Sequence, residues 1–236
     1  MKFLTIHGLI DRRILINYSI DPAVAKALLS APFRPLLHNG NAIGGICLIR
    51  LKNIKPKGLP DFMGIGSENG AHRFAVEWDD DGVVKQGVYI PRRDTSSDIN
   101  ALAGGRVFPG KHYKAAFDVE EQNGRYKVGF TSSDATRLSI SASETETFNQ
   151  KSIFGDLETA SSFFKQGCVG YTPATKGFDG VSLNTYSWQV QPLEVHEVQS
   201  SYFDNNALFP EGSVIFDNAL LMKNIEHEWQ TRPKLF

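Results

Sequence analysis

Cysteine is nearly absent from the 236-residue chain, which carries only Cys47 and Cys168, so a disulfide framework is excluded as the source of its stability. Net charge is nearly absent as well. The 25 Lys and Arg against 26 Asp and Glu leave −1, so no global field draws the chain to a phosphate backbone or an anionic lipid surface. Nucleic acid is therefore not an expected partner. No apolar run approaches the ~18 residues of a membrane-spanning helix, and Met1 to Gly8 has neither a long apolar stretch nor a small-residue cleavage site. These absences predict a cytoplasmic protein with no membrane partner. Low-complexity linkers and internal repeats are missing too, and β barrels often reach roughly 200 to 250 residues as one unit. Residues 1–236 are thus expected to form a single domain.

Several chemistries are missing with equal clarity. Glu226-His227-Glu228-Trp229 does not set two histidines one helical turn apart, and no cysteine cluster exists, so no metal site is expected. No glycine-rich turn leads from a strand into a helix, and Gly104-Gly105 follows a helix-like run; no nucleotide or other cofactor is expected. A G-x-S-x-G elbow is also lacking, which leaves serine hydrolase chemistry without support.

What is present is ample apolar material, 41% of residues against 22% charged, which suffices for a large core. Alternation of Ile14, Ile16, Tyr18 and Ile20 predicts a half-buried strand, and Asp21-Pro22 starts a short helix through Leu29. Ala42 to Leu51 reads as a central strand, followed by a loop over Lys52 to Asp61. Asp79-Asp80-Asp81-Gly82 and Asn123-Gly124 each predict a hairpin turn. Asp94-Thr95-Ser96-Ser97 is expected to cap a helix reaching about Ala103, and a second helix is predicted from Asp156 to Gln166. Further strands are expected at Arg137 to Ser143, Tyr186 to Val190, Leu193 to Val198 and Ser213 to Leu221, with Pro192 as a break. The sum is an α+β class: a mainly antiparallel sheet that curls or closes into a β-barrel, with a few short helices.

Among candidate site residues, Arg92-Arg93-Asp94 at the end of Val88-Tyr89-Ile90 makes either an anion-binding rim or a surface ion pair. If residues 111–119 are extended, Lys111, Tyr113, Ala115, Phe117 and Val119 share the apolar face, whereas His112 lies on the other. Lys111 is then either a pocket residue or a strand-end lysine reaching water. Cys47, inside Ile46-Cys47-Leu48-Ile49, reads as a buried core thiol.

Arg12-Arg13-Ile14-Leu15-Ile16-Asn17-Tyr18 with Pro32-Phe33-Arg34-Pro35-Leu36, and Gly87-Val88-Tyr89-Ile90 with Gly105-Arg106-Val107-Phe108-Pro109-Gly110-Lys111, resemble acetoacetate decarboxylase. They also resemble an uncharacterised bacterial family grouped with that enzyme. Ser67-Glu68-Asn69 is similar to the family's segment with a pocket glutamate. The resemblance implies an acetoacetate decarboxylase-like fold and a lysine that forms an imine with a keto acid. An ungapped match puts Gly110 at the nucleophile, whereas a one-residue insertion aligns Lys111 there with His112 as its neighbour. The resemblance further implies Arg13, or Arg12 in another register, as a carboxylate clamp and Glu68 as an acid/base or orienting group. His72, Arg73, Tyr89, Arg92, His112 and Tyr113 complete the implied pocket.

Two functions are carried forward. One is a lyase-like enzyme acting on a keto acid or other carbonyl compound through Lys111; the other is a non-catalytic binding domain for a small apolar or amphiphilic ligand. Both expect a small-molecule partner, and a homo-oligomer is compatible with either.

Overall fold

The computed structural model describes residues 5–98 and 110–235. Its strands are β1 (Thr5–Ile20), β2 (Arg34–Pro35), β3 (Leu37–His38), β4 (Asn41–Pro56), β5 (Ile65–Asp80), β6 (Val83–Thr95), β7 (His112–Gln122), β8 (Arg125–Ser132), β9 (Arg137–Glu144), β10 (Val169–Pro173), β11 (Phe178–Thr185), β12 (Gln191–Ser200) and β13 (Val214–Leu235). Helices α1 (Pro22–Leu28) and α2 (Leu157–Lys165) accompany them. Both helices begin where the sequence supplies a carboxylate to the free amides of the first turn. Asp21 accepts from the Ala23 and Val24 amides, and Asp156 accepts from that of Thr159.

All strands join one curled, mixed sheet, paired in the order β11-β10-β6-β7-β8-β9-β12-β13-β1-β4-β5-β2 with β3 against β4. Pairings of β11 with β13 and of β5 with β6 close two circuits, so β13, β1, β4, β5 and β6 form a wall common to both. The result is not a clean barrel. A wall flanked by a core on each side requires strands apolar on both faces, which is why residues 42–49 are buried without interruption.

Side-chain alternation then divides the wall into two faces. Ile14, Ile16, Ile46, Leu48, Phe74 and Val76 belong to the larger core. Leu15, Cys47, Ile49 and Ala75 belong to the smaller one, where α2 packs Phe164 and Ala160. Irregular pairing between Ile10 and Arg12 shifts the period of β1, so Ile6 and Ile10 lie in the same core as Leu15.

Both hairpin turns hold positive φ in sequence, at Asp81 and Gly82 (48° and 79°) and at Asn123 and Gly124 (49° and 73°). Other expectations need correction. Residues 186–190 form no strand but carry the chain from β11 to β12, and the Trp188 indole donates to Ser161 of α2 at 3.0 Å. Pro192 does not break β12; it sits second in that strand, where a missing amide costs little. Strand β4 runs on to Pro56 past a register shift, where a loop was expected. Asp94 and Thr95, expected as part of a helix cap, end β6; Asp98 is helical, and the rest of that expected helix, with Gly104-Gly105 and Phe108-Pro109, lies outside the described residues. The sheet is also mixed, because β6 pairs in parallel with β7 and β10. No helix among the described residues is long and apolar enough to cross a membrane.

Leu48 is fully buried in the larger core. Leu48→Ala is expected to lower unfolding free energy in urea by about 2–5 kcal/mol, whereas Val83→Ala in the exposed hairpin changes it by about 0.5 kcal/mol at most. Equal effects would contradict the two-sided wall.

Candidate functional site

The smaller circuit is not filled. Its strands β11, β10, β6, β5, β4, β1 and β13 each contribute to a cavity of about 130 Å³, which α2 covers with Phe163 and Phe164. A second space of about 70 Å³ shares Ile49, Ala71, Arg93, Val181 and Trp229 with it and adds Asn69 and His112. Most of the wall is aliphatic or aromatic, yet three guanidinium groups face inward: Arg13 from β1, Arg73 from β5 and Arg93 from β6. Close strand approach requires glycine beside Arg73. A Cβ on Gly45, which pairs with Arg73, would lie 2.1 Å from the Ile16 carbonyl oxygen.

Among the described residues, no carboxylate pairs with any of these arginines; their partners are weak or neutral. Arg13 Nε donates to Cys47 Sγ at 3.2 Å, Arg73 donates to Asn17 Oδ1, and Arg93 reaches Thr172 Oγ1 at 3.4 Å. The Nε atoms of Arg73 and Arg93 have no hydrogen-bond partner among the described residues. Asn17 is itself held, because its amide donates to Asn218 Oδ1 at 2.8 Å.

The electrostatic consequence is large. Burial pulls Arg73 and Arg93 down to about 10, with neighbouring Arg13 lowering Arg73 further and the Cys47 sulfur acting in the opposite sense on both. For Arg73, 5% exposed, that depression corresponds to about 3 kcal/mol against the charged form, which nevertheless dominates at neutral pH. His112 sits beside Arg93 across the β6–β7 pairing, and burial followed by the Arg93 charge holds it down at about 4. It is therefore neutral at pH 7. Such a cavity presents positive charge beside an apolar wall, a combination that matches the chemistry of one anionic group on an apolar body.

The DUF2071 model, described as an uncharacterized conserved protein, matches residues 10–219. The chain belongs to this family. Solved structures place the DUF2071 chain among acetoacetate decarboxylase-like folds. An acetoacetate decarboxylase-like enzyme from Sphingomonas wittichii RW1 aligns with TM-score 0.59 at 14% identity, covering 99% of this chain and 94% of that one. The enduracididine biosynthesis enzyme MppR complexed with pyruvate gives 0.57 at 11% identity, covering 97% and 87%. Acetoacetate decarboxylase from Legionella pneumophila gives 0.56 at 12%, covering 97% and 85%. These likenesses establish the fold. No curated protein matches the sequence.

In this DUF2071 chain the residues singled out from sequence divide between the two faces of the wall. Arg13 and Arg73 line the main cavity and His112 the smaller space. Arg12 and Glu68 lie elsewhere: Arg12, 2% exposed, donates to Glu68 and Glu121, while Glu68 also accepts from Arg50. Ser67-Glu68-Asn69 is strand, paired with residues 49–51 of β4. Lys111 is exposed, with Nζ 4.6 Å from the Tyr113 ring centroid, and lines neither space. Arg92 stacks on the same ring at 4.0 Å and pairs with Asp94 and Asp134. Tyr89 packs among Phe33 and Phe178 in the larger core.

Arg93, expected within Arg92-Arg93-Asp94 as part of either an anion-binding rim or a surface ion pair, lines the cavity, as do Cys47 and Cys168, for which no site role was expected. The signal for Arg93 was available in Arg92-Arg93-Asp94, where alternation sends adjacent arginines to opposite faces. Among the described residues no group of three or more His, Cys, Asp or Glu is arranged to hold a metal.

His72 lies fully buried on the opposite face, its Nδ1 3.8 Å from Asp94 Oδ2 and its ring 4.6 Å from that of Tyr202. Burial, then the Arg92 charge, holds it down at about 3. A folded-state value below the unfolded 6.5 means that its contribution is complete above pH 6.5 and is lost as pH falls toward 3; His112 acts in the same direction. Asp94, raised by burial, opposes them. Urea unfolding between pH 6.5 and 4 is therefore expected to show a shallower loss of stability for His72→Phe than for the parent, by up to about 1.4 kcal/mol per pH unit. Parallel slopes would contradict this assignment.

Proposed function

We propose that the chain binds a compact organic acid, with its carboxylate among Arg13, Arg73 and Arg93 and its apolar remainder against Leu15, Ile49, Ile90 and Phe164. The observation that carries this reading is the set of cavity-lining guanidinium groups that pair with no carboxylate among the described residues. An anion supplies paired acceptors in the geometry a guanidinium offers. Size supports the same class: a cavity of about 150 Å³ holds benzene, so the volume here suits a ligand of about six heavy atoms. The MppR complex with pyruvate, an acid of that size in a related fold, supports a 2-oxo acid as the first ligand to test.

Binding on this reading uses no lysine imine. No lysine lines either space, and residues 99–109 contain none. The lyase-like alternative through Lys111 keeps one argument: this lysine adjoins His112, which does line the smaller space. A cytoplasmic setting suits the free thiols Cys47 and Cys168.

Calorimetry should detect pyruvate binding and no binding of its neutral amide, pyruvamide, with Arg93→Gln weakening affinity about tenfold or more. Borohydride treatment with pyruvate should leave Lys111 unmodified. Equal binding of acid and amide would reject the carboxylate site, and a reduced pyruvyl adduct on Lys111 would favour the lyase reading instead.

A further inference from the structure

The cavity surrounds a thiol. In the register of β1, β4, β5 and β6, Leu15, Cys47, Ala71 and Arg93 form one row across four strands, all on the cavity face. Ala71, between Cys47 and Arg93, leaves the space above the sulfur open. Arg13 and Arg73 stand at the diagonal positions, since Arg13 pairs with Ile49 and Arg73 with Gly45, each two residues from Cys47. One cation thus contacts the sulfur, and two more line the same cavity.

The contacts agree with that register. Arg13 Nε donates to Cys47 Sγ at 3.2 Å, and Arg73, nine-tenths buried or more, lines the same space with an unpartnered Nε. The sulfur therefore lies against the cavity in hydrogen-bond contact with one of the arginines that line it. The same cations fix a carboxylate, so the carbon next to that carboxylate is brought to the sulfur. Cys168 lines the cavity too but is exposed, without an arginine hydrogen bond among the described residues.

We propose that Cys47 is a nucleophile that adds reversibly to the carbonyl carbon of a 2-oxo acid held by Arg13, Arg73 and Arg93. The bond formed is S–C2. The carbonyl π pair moves to the oxygen, and that oxygen takes up the proton given up by the thiol, directly or by way of water, yielding a hemithioketal. Nothing else is consumed, and reversal restores the thiol and the oxo acid. This step rests on the carboxylate reading of the cavity, and it assigns to that cavity a covalent contact which recognition of the acid does not require.

Iodoacetate presents the same arrangement, an electrophilic carbon beside a carboxylate, whereas iodoacetamide has the carbon without the charge. Alkylation rates at Cys47 would be read by peptide mass spectrometry on the whole protein, alongside pyruvate binding by calorimetry. The iodoacetate-to-iodoacetamide rate ratio at Cys47 should exceed that of free cysteine in the same buffer by about tenfold or more. Pyruvate should suppress the reaction, and Arg13→Gln should reduce the ratio toward that of free cysteine. Cys47→Ser should still bind pyruvate, more weakly, and lose the label.

A ratio no greater than that of free cysteine, with pyruvate bound, would overturn the nucleophile and leave the carboxylate site intact. Unchanged affinity of Cys47→Ser for pyruvate would likewise overturn the covalent step. Loss of pyruvate binding from the parent protein, with no raised ratio, would remove both proposals.

Discussion

A guanidinium group removed from water without a carboxylate beside it destabilises the fold that contains it; among the described residues Arg73 is such a group, and the partly buried Arg13 and Arg93 line the same cavity without a carboxylate partner. Their immediate partners are a cysteine sulfur, an asparagine oxygen and a distant threonine hydroxyl. Elsewhere the same protein neutralises its buried arginines thoroughly: Arg12 has Glu68 and Glu121, and Arg92 has Asp94 and Asp134. The contrast is informative because Arg12 and Arg92 sit on one face of the wall, while Arg13, Arg73 and Arg93, which have no carboxylate partner among the described residues, sit on the other. An unneutralised buried charge is costly, and it is the arrangement expected where a ligand completes the pairing.

The wall is what makes the separation possible. A strand with one buried face sends alternate residues to water, but β1, β4 and β5 have a core on each side, so neighbouring residues enter different chemical environments. Arg12 and Arg13 differ by one position and have unrelated roles: one anchors a network of carboxylates, the other faces an apolar cavity. His72 and Arg73 divide in the same way, as do Arg92 and Arg93. Register is therefore the variable that sets the chemistry of this fold.

Much of the local structure was legible because short-range rules dominate it. Asn123-Gly124 and Asp81-Gly82 need positive φ, and Asp21 and Asp156 cap helices regardless of what surrounds them. What alternation could not reveal was which of two apolar faces bounds the cavity. Lys111 does share parity with Ala115, Phe117 and Val119, but that face packs against the larger core, while His112 faces the smaller space. The strand position of Glu68 was not legible because the long-range pairing of β5 with β4 is not written in Ser67-Glu68-Asn69 itself. Strands β10 and β11 were missed for a related reason: they are short, contain Gly170 and Gly180, and are set in place by neighbours distant in sequence.

The central claim is that the interior positive charge serves a ligand and not the fold, so stability and binding should respond oppositely when that charge is removed. Arg73→Met keeps an unbranched apolar stem of similar reach and deletes the charge. Thermal or urea unfolding of this variant, with and without pyruvate, should show a ligand-free stability equal to or above the parent's, by up to about 4 kcal/mol, and no stabilisation by the acid. A variant several kcal/mol less stable than the parent that is still stabilised by pyruvate would contradict the account.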